Sequence, residues 1–124
     1  GKEFEDVIAH GGYPVDIHPP EGEDGDECNY EARESRHLEW GKMYSVPYRS
    51  LVNNQVKNLI TVGLCISVDF EAQGGIRVKA IAGALVHAVG VGAYLAVTNE
   101  VSALEVEINK LHKILVKQGA YLDI

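Results

Sequence analysis

The pattern of apolar and polar residues divides the chain into a polar first third and a mostly apolar remainder. Residues 1–39 are rich in glycine, proline and acidic side chains and show little apolar periodicity. The acidic run at residues 21–27 predicts a solvated loop. Calcium binding is the alternative there, but the run lacks the terminal glutamate of an EF-hand and has no flanking helical pattern.

Two stretches after the polar third have the composition of β-strands. Residues 43–52 are rich in β-branched and aromatic side chains, and a proline within them indicates an edge strand or a bend. Asn53 and Asn54 then predict a turn. The short apolar run at 58–63 predicts a buried strand of a parallel sheet. Residues 71–75 end in two glycines and predict a flexible break.

Two helices are predicted in the second half of the chain. Residues 80–97 are almost wholly apolar and rich in alanine and glycine, and Asn99 is expected to end this helix. Since the helix is apolar all round, we expect it to be buried on several sides. Residues 102–105 have the Ser-x-x-Glu form of a capping box. An amphipathic helix follows over 108–118, with Gly119 as its C-terminal cap.

The long apolar helix has two interpretations. Its length permits a membrane span, and Ala84 and Ala88 have the small-xxx-small spacing of membrane helices. The aromatic belt is thin and there is one such segment, so a buried helix of a soluble protein is favoured. A chain of this size can bury only part of the helix surface, which indicates a homo-oligomer or a piece of a larger assembly.

Composition and charge narrow the class of protein. The 124 residues are 46% apolar, as expected for one ordinary domain or part of one, and the net charge is −7. This acidic balance argues against nucleic acid and disfavours an anionic membrane surface. The charge is uneven, because residues 1–39 carry 12 acids and 3 bases. Two cysteines make no disulfide framework and no signal peptide opens the sequence, so we expect a cytoplasmic location.

The remaining candidate residues give weak signals. His87 is expected to be a packed, hydrogen-bonded histidine and Cys65 a buried, inert thiol. Arg49 either holds an anionic substrate or forms a structural ion pair. No metal site is predicted, because the ligand-type residues of the polar third lack the spacing of metal motifs. Those residues are His10, His18, Cys28 and His37.

Five motifs occur in a recognisable order and together cover most of the chain, from about residue 11 to residue 122. In this order they resemble the C-terminal part of bacterial FAD-dependent oxidoreductases with a glutathione-reductase-like Rossmann domain. The resemblance implies an α/β fragment of an FAD-binding domain with a few strands, a long Ala/Gly-rich helix and a C-terminal amphipathic helix. The motifs are GYPVDIH at 12–18, VPYRSLV at 46–52, VKNLITVGLCIS at 56–67, EAQGGIRV at 71–78 and INKLHKILVKQGAYL at 108–122.

The resemblance also implies domains and site residues. Residues 1–45 would end the substrate-side domain, and 46–124 would form the C-terminal portion of the FAD-binding domain. The run 58–63 would be the last strand of the flavin-binding sheet, and the following long helix would point its N-terminus at the flavin. Tyr48 and Arg49 would face the substrate. The implied cofactor-binding residues are Gly63, Leu64, Cys65, Glu71, Gly74, Gly75, Arg77 and Val78.

The chain departs from the family pattern in ways that bear on cofactor binding. Leu64 stands where the family has an arginine, and Lys79-Ala80 where it has Met-Pro. Residues 86–90 differ from its Gly-Gln-Ala-Ala-Gly run. No Gly-x-Gly-x-x-Gly fingerprint is present. We therefore expect this chain alone to bind FAD weakly or not at all and to be inactive, and its catalytic residues stay unassigned.

Two functional classes follow. The first is a C-terminal piece of an FAD-dependent oxidoreductase, with a small-molecule substrate bound through a domain that this chain lacks. Such a piece would associate with a polypeptide that carries the N-terminal part of the FAD domain. The second is a non-catalytic structural or partner-binding module that kept the fold and lost flavin binding.

Overall fold

The computed structural model describes residues 4–15, 39 and 41–123. The predicted acidic loop at 21–27, the residues Cys28, His18 and His37 and most of the proposed substrate-side segment lie outside the described residues. The described elements are the strands β1 (Val7–Gly11) and β2 (Tyr44–Pro47), the helices α1 (Phe70–Ile76), α2 (Lys79–Thr98) and α3 (Ile108–Lys117), and 3-10 turns at Tyr48–Ser50, Gly63–Cys65 and Ala103–Glu105.

The two strands form an antiparallel pair that packs on the helices. Ala9 lies opposite Val46 and Gly11 opposite Tyr44, and the register shifts between Val7 and Ala9. The strand predicted within 43–52 is confirmed in its first half, and the chain turns into a 3-10 turn directly after Pro47. Together with the helices, this small sheet is consistent with an α/β fragment.

The strand predicted at 58–63 is wrong for the described part of the chain. Here the run makes one isolated antiparallel bridge, between Ile60 and Val52, and Thr61 N–H donates to the Leu51 carbonyl at 2.7 Å. A buried strand of a parallel sheet needs hydrogen-bonded neighbours, and the described residues supply only this short antiparallel contact. The turn predicted before it is confirmed, since the Asn53 side chain accepts from two following backbone N–H groups.

The flexible break predicted at 71–75 is also wrong, because these residues lie within helix α1. The Asp69 side chain caps the helix by accepting from Ala72 N–H at 2.8 Å. Gly74 and Gly75 are buried, so packing outweighs the cost of about 1 kcal/mol that each glycine adds in a helix.

Helix α2 confirms the long helix predicted from the apolar run. It ends as predicted at Asn99, whose side-chain amide donates to the Leu95 carbonyl at 2.7 Å. One face, which includes Leu85 and Ala88, is buried against the hairpin and α3. Among the described residues, α2 is the helix long and apolar enough to cross a membrane, and 39% of that window is buried inside the protein. A core helix of a soluble protein meets the same criterion.

Helix α3 and its flanks form as predicted. Both halves of the capping box between Ser102 and Glu105 are present, although the box caps the 3-10 turn that precedes the helix. Leu111 and Leu115 are at most 1% exposed, and Gly119 follows the helix with a φ of +92°. The ring of His112 is buried and bonds the Val7 carbonyl at 2.7 Å, which ties α3 to β1.

Candidate functional site

The turn at Gly63–Cys65 carries three of the residues expected to contact a cofactor. Gly63 has a φ of +77°, and a Cβ built there would meet nothing within 4 Å, so the space beside it is open. Leu64 is 56% exposed and Cys65 is an exposed free thiol. The prediction of a buried Cys65 is therefore wrong, because the preceding segment runs along the surface instead of ending a buried strand.

Helix α1 lies beside this turn and is linked to it by Gln73, a residue that the sequence analysis did not single out. The Gln73 side-chain amide donates to the Leu64 carbonyl at 3.4 Å. The segment that connects the Gly63–Cys65 turn to α1 also contacts the 3-10 turn after β2, since Ser67 N–H donates to the Ser50 carbonyl at 3.2 Å. The structure thus brings the turn and α1 together. No local sequence signal marks Gln73, because its partner is nine residues away.

Gly75 is buried against the side chain of Tyr44, which lies on β2. The Tyr44 hydroxyl donates to the Gly75 carbonyl at 2.6 Å, and a Cβ on Gly75 would lie 3.2 Å from that hydroxyl. Burial raises the pKa of Tyr44, so this hydroxyl stays a donor over the neutral range. The side of Gly75 that a side chain would occupy therefore faces Tyr44. Gly74 is buried as well, whereas Glu71 is exposed.

The N-terminal end of α2 lies next to α1 and is basic. Arg77 is exposed, Val78 is half-buried with an extended backbone, and Lys79 opens the helix. No acidic residue lies in the first turn. The positive end of the helix dipole and the exposed Lys79 favour a negatively charged group at this corner.

The two residues expected on the substrate side both make contacts within the chain. The Tyr48 side chain is buried, and its hydroxyl donates to the Ala103 carbonyl at 2.9 Å. Arg49 pairs with Asp6, its Nε lying 3.1 and 3.0 Å from the two carboxylate oxygens, and its guanidinium lies over the ring of Phe4. The structural ion pair, which was one of the two roles predicted for Arg49, is thus present. A direct role in substrate binding stays a prediction.

The Arg49 pair shifts the pKa of Asp6. Partial burial raises the pKa of this carboxyl, but the hydrogen bonds and the charge of Arg49 outweigh burial and hold it below its usual value. The hydrogen bonds and the charge of Asp6 raise the pKa of Arg49 in turn. Both groups are therefore charged at neutral pH.

The histidines of the described region serve structural hydrogen bonds. His87 Nε2 lies 2.6 Å from Gln118 Oε1, as expected for a packed histidine. His10 Nδ1 lies 3.3 Å from Ser45 Oγ, while its Nε2 accepts from Asp123 N–H at 3.2 Å. Because Nε2 accepts this hydrogen bond, a neutral His10 ring carries its proton on Nδ1. The nitrogen next to Ser45 is then a donor, so His10 cannot act as a base toward the Ser45 hydroxyl. In the described part of the chain, no group of three or more His, Cys, Asp or Glu residues could hold a metal ion.

The expected cofactor residues lie in the turn at Gly63–Cys65, in α1 and directly before α2. Pockets for cofactors bury most of the ligand's surface. The turn at Gly63 is open and Arg77 is exposed, so these residues do not enclose a ligand. Two depressions on the described surface lie elsewhere, one between β1, β2 and α3 and one between α2 and α3.

A small two-stranded sheet packed on three helices makes this chain an α/β fragment. The family described as FAD dependent oxidoreductase matches residues 1–115. The chain therefore belongs to the FAD-dependent oxidoreductase family, whose members use FAD. Searches of curated proteins and of solved structures returned no match.

Proposed function

We propose that this chain is the C-terminal part of an FAD-dependent oxidoreductase and supplies one wall of the flavin site in a Rossmann-type domain. The rest of that site, with its Gly-x-Gly-x-x-Gly unit, comes from a separate stretch of polypeptide. The substrate is a small molecule bound mainly outside this chain, and the protein works in the cytoplasm. The family match over 1–115 supports the oxidoreductase class.

One structural observation carries the proposal. The segment at 58–62 is apolar, yet it pairs only through the Val52–Ile60 bridge, and Leu59 is 45% exposed. An apolar segment with strand composition is stable when strands lie on either side of it. The partial exposure of Leu59 supports a proposal in which further polypeptide covers this segment.

Each wall residue has a role that follows from its place. The open turn at Gly63 lets backbone approach the cofactor, and the α2 N-terminus beside Arg77 favours the negative charge of a phosphate or of a reduced flavin. Tyr44 holds the corner at Gly75. When bound, FAD supplies the electron-transfer chemistry. The residues of this chain bind and orient it.

A spectroscopic experiment tests the proposal. The purified chain is incubated with excess FAD, desalted, and its visible absorbance recorded. We expect a colourless protein that releases all added flavin, because one wall does not bury the cofactor. Retained flavin bands would contradict the proposal, since they would show that the chain builds a closed pocket by itself.

A non-catalytic module is the second candidate, and Leu64 favours it. An arginine at this place would pair with phosphate through two hydrogen bonds, and leucine makes none. The side chain is 56% exposed, so it adds apolar surface to the turn. In this alternative the chain binds a protein partner through the same open edge, and its complex with that partner carries no flavin.

A further inference from the structure

The histidine of β1 contacts the segment of chain that follows α3. His10 Nε2 accepts a hydrogen bond from the Asp123 backbone N–H at 3.2 Å. The His10 ring also meets the Tyr121 ring edge-on, with the ring centres 6.0 Å apart and an angle of 60° between the planes. Its Nδ1 lies 3.3 Å from Ser45 Oγ on β2. One imidazole therefore joins the hairpin to residues 121–123, which we call the 121–123 segment.

The bond between His10 and Asp123 requires one protonation state of the ring. A backbone N–H can only donate, so Nε2 accepts this bond only while it carries no proton. The neutral ring with its proton on Nδ1 meets this condition. A doubly protonated ring has a donor on each nitrogen and no acceptor. Its new proton would lie between Nε2 and the Asp123 nitrogen, so the 121–123 segment would have to move away.

Few other contacts hold the 121–123 segment. Tyr121 is 68% exposed, Asp123 is exposed, and Leu122 is half-buried against the core. Among the described residues, the bond to His10 is the hydrogen bond that the backbone of this segment makes. Segments of this kind open at a low cost in free energy. Loss of one hydrogen bond should therefore raise the open fraction about fivefold.

The charges around His10 are of both signs. His10 borders the depression between the hairpin and α3. The acidic side chains there favour a second proton on the ring and the lysines oppose it, while Glu107 is already paired with Lys110 at 2.7 Å. Histidine is the side chain whose charge ordinarily changes between about pH 5 and pH 8. The titratable groups that border the depression beside His10 are Glu5, Glu107, His112, Lys113, Lys117 and Asp123.

We propose that His10 is a proton-sensitive contact that holds the 121–123 segment when its ring is neutral and releases it when the ring takes up a second proton. Asp123 borders the same depression, so its release opens that side of the depression. The pH of the surroundings thereby sets the width of this surface site. The inference goes beyond the proposed function and needs no flavin.

Solvent exchange of the Asp123 amide, measured by NMR on the whole chain, tests the proposal. Dividing the exchange rate of an unstructured peptide at the same pH by the measured rate gives a protection factor, which removes the intrinsic pH dependence of exchange. We expect the protection factor to be about five times larger at about pH 8 than at about pH 5.5. The midpoint of this change should coincide with the titration of the His10 ring signals in the same spectra.

Three variants separate His10 from the other titrating groups. His10→Gln offers a carbonyl oxygen that accepts at every pH, so its Asp123 amide should be equally protected at both pH values. Asp123→Asn keeps the backbone N–H and removes a carboxylate that is able to bind the charged ring, so it should release at least as fully as the wild type. His87→Gln is the matched control, because His87 bonds Gln118 near the segment, and it should respond as the wild type does.

Three results would overturn the proposal. The first is equal protection at the two pH values in the wild type, or a midpoint away from the His10 titration. The second is the same pH response in a folded His10→Gln variant, with folding checked by circular dichroism. The third is a wild-type segment that stays protected at about pH 5.5 and loses protection in Asp123→Asn, since the carboxylate would then hold the segment on the charged ring.

Discussion

At the scale of single residues, two glycines leave space in the described core for the side chain of Tyr44. The Tyr44 ring lies against Gly11 as well as Gly75, and a Cβ on Gly11 would approach the ring to 2.5 Å and Ile81 to 2.7 Å. Two glycines from distant parts of the chain therefore make room for one tyrosine. That tyrosine joins the hairpin to α1, since its hydroxyl donates to the Gly75 carbonyl.

Gly11→Ala is expected to destabilise the protein by about 1–3 kcal/mol, because the new methyl group overpacks the space beside Tyr44. Gly12→Ala is the control, since its Cβ would meet only the Lys42 carbonyl at 3.9 Å. The free energy of unfolding from urea denaturation measures both. Equal stabilities for the two variants would contradict this account of Tyr44.

The pair of Asp6 and Arg49 gives a pH-dependent prediction. Partial burial of Asp6 is outweighed by the hydrogen bonds and charge of Arg49, so the pKa of Asp6 in the folded protein lies below its ordinary value of 3.8. The stabilisation is therefore complete above pH 3.8 and is lost as the pH falls through the lower folded pKa. Asp6→Asn should cost about 0.5–1 kcal/mol at neutral pH, since Arg49 is largely exposed.

Thermal unfolding of the wild type and Asp6→Asn between neutral and acidic pH checks this. The difference between them should disappear below the folded pKa of Asp6. Glu105, whose pKa is lowered by hydrogen bonds from Ser102, titrates in both proteins and cancels in the comparison. A constant difference across the whole pH range would contradict the assignment to Asp6.

At the scale of elements, α3 fastens the C-terminal part of the chain to the hairpin and to α2. Leu111 is fully buried, and its neighbour His112 bonds the Val7 carbonyl 105 residues away. Helices of this length are marginal in isolation, so most of the stability of α3 comes from this packed face.

Leu111→Ala should therefore cost about 2–5 kcal/mol, because it leaves a cavity in the core. Val116→Ala, on the same helix but 48% exposed, should cost much less and serves as the control. Urea denaturation followed by circular dichroism distinguishes them. A small effect at Leu111 would mean that α3 is not docked as described.

At the scale of the whole molecule, the proposal that this chain supplies one wall of a flavin site gives a further prediction. Leu64→Arg should strengthen FAD binding about tenfold, as one charge-assisted phosphate contact of about 1.5 kcal/mol would. Leu59→Arg is the control, since Leu59 is similarly exposed but precedes the turn. Fluorescence anisotropy of FAD at high chain concentration measures both affinities. Identical affinities would place the phosphates away from the turn.

The sequence by itself determined the features that depend on neighbouring residues. The apolar run predicts α2, Asn99 ends it, and the Ser102 capping box and Gly119 mark the flanks of α3. The Asn53 turn belongs to the same group. Each of these rests on hydrogen bonds or side-chain spacing within a few positions, so the local pattern is sufficient. The order of the motifs also indicated the family.

Only the tertiary structure decided the features that depend on distant partners. The run at 58–63 forms one bridge because strand formation requires neighbours that the described residues do not supply. Helix α1 forms despite its two glycines because Tyr44, on another element, packs against Gly75 and bonds its carbonyl. Arg49 is held by Asp6, 43 residues away. The physical reason is the same in each case, since contacts between distant residues leave no periodic signal in the sequence.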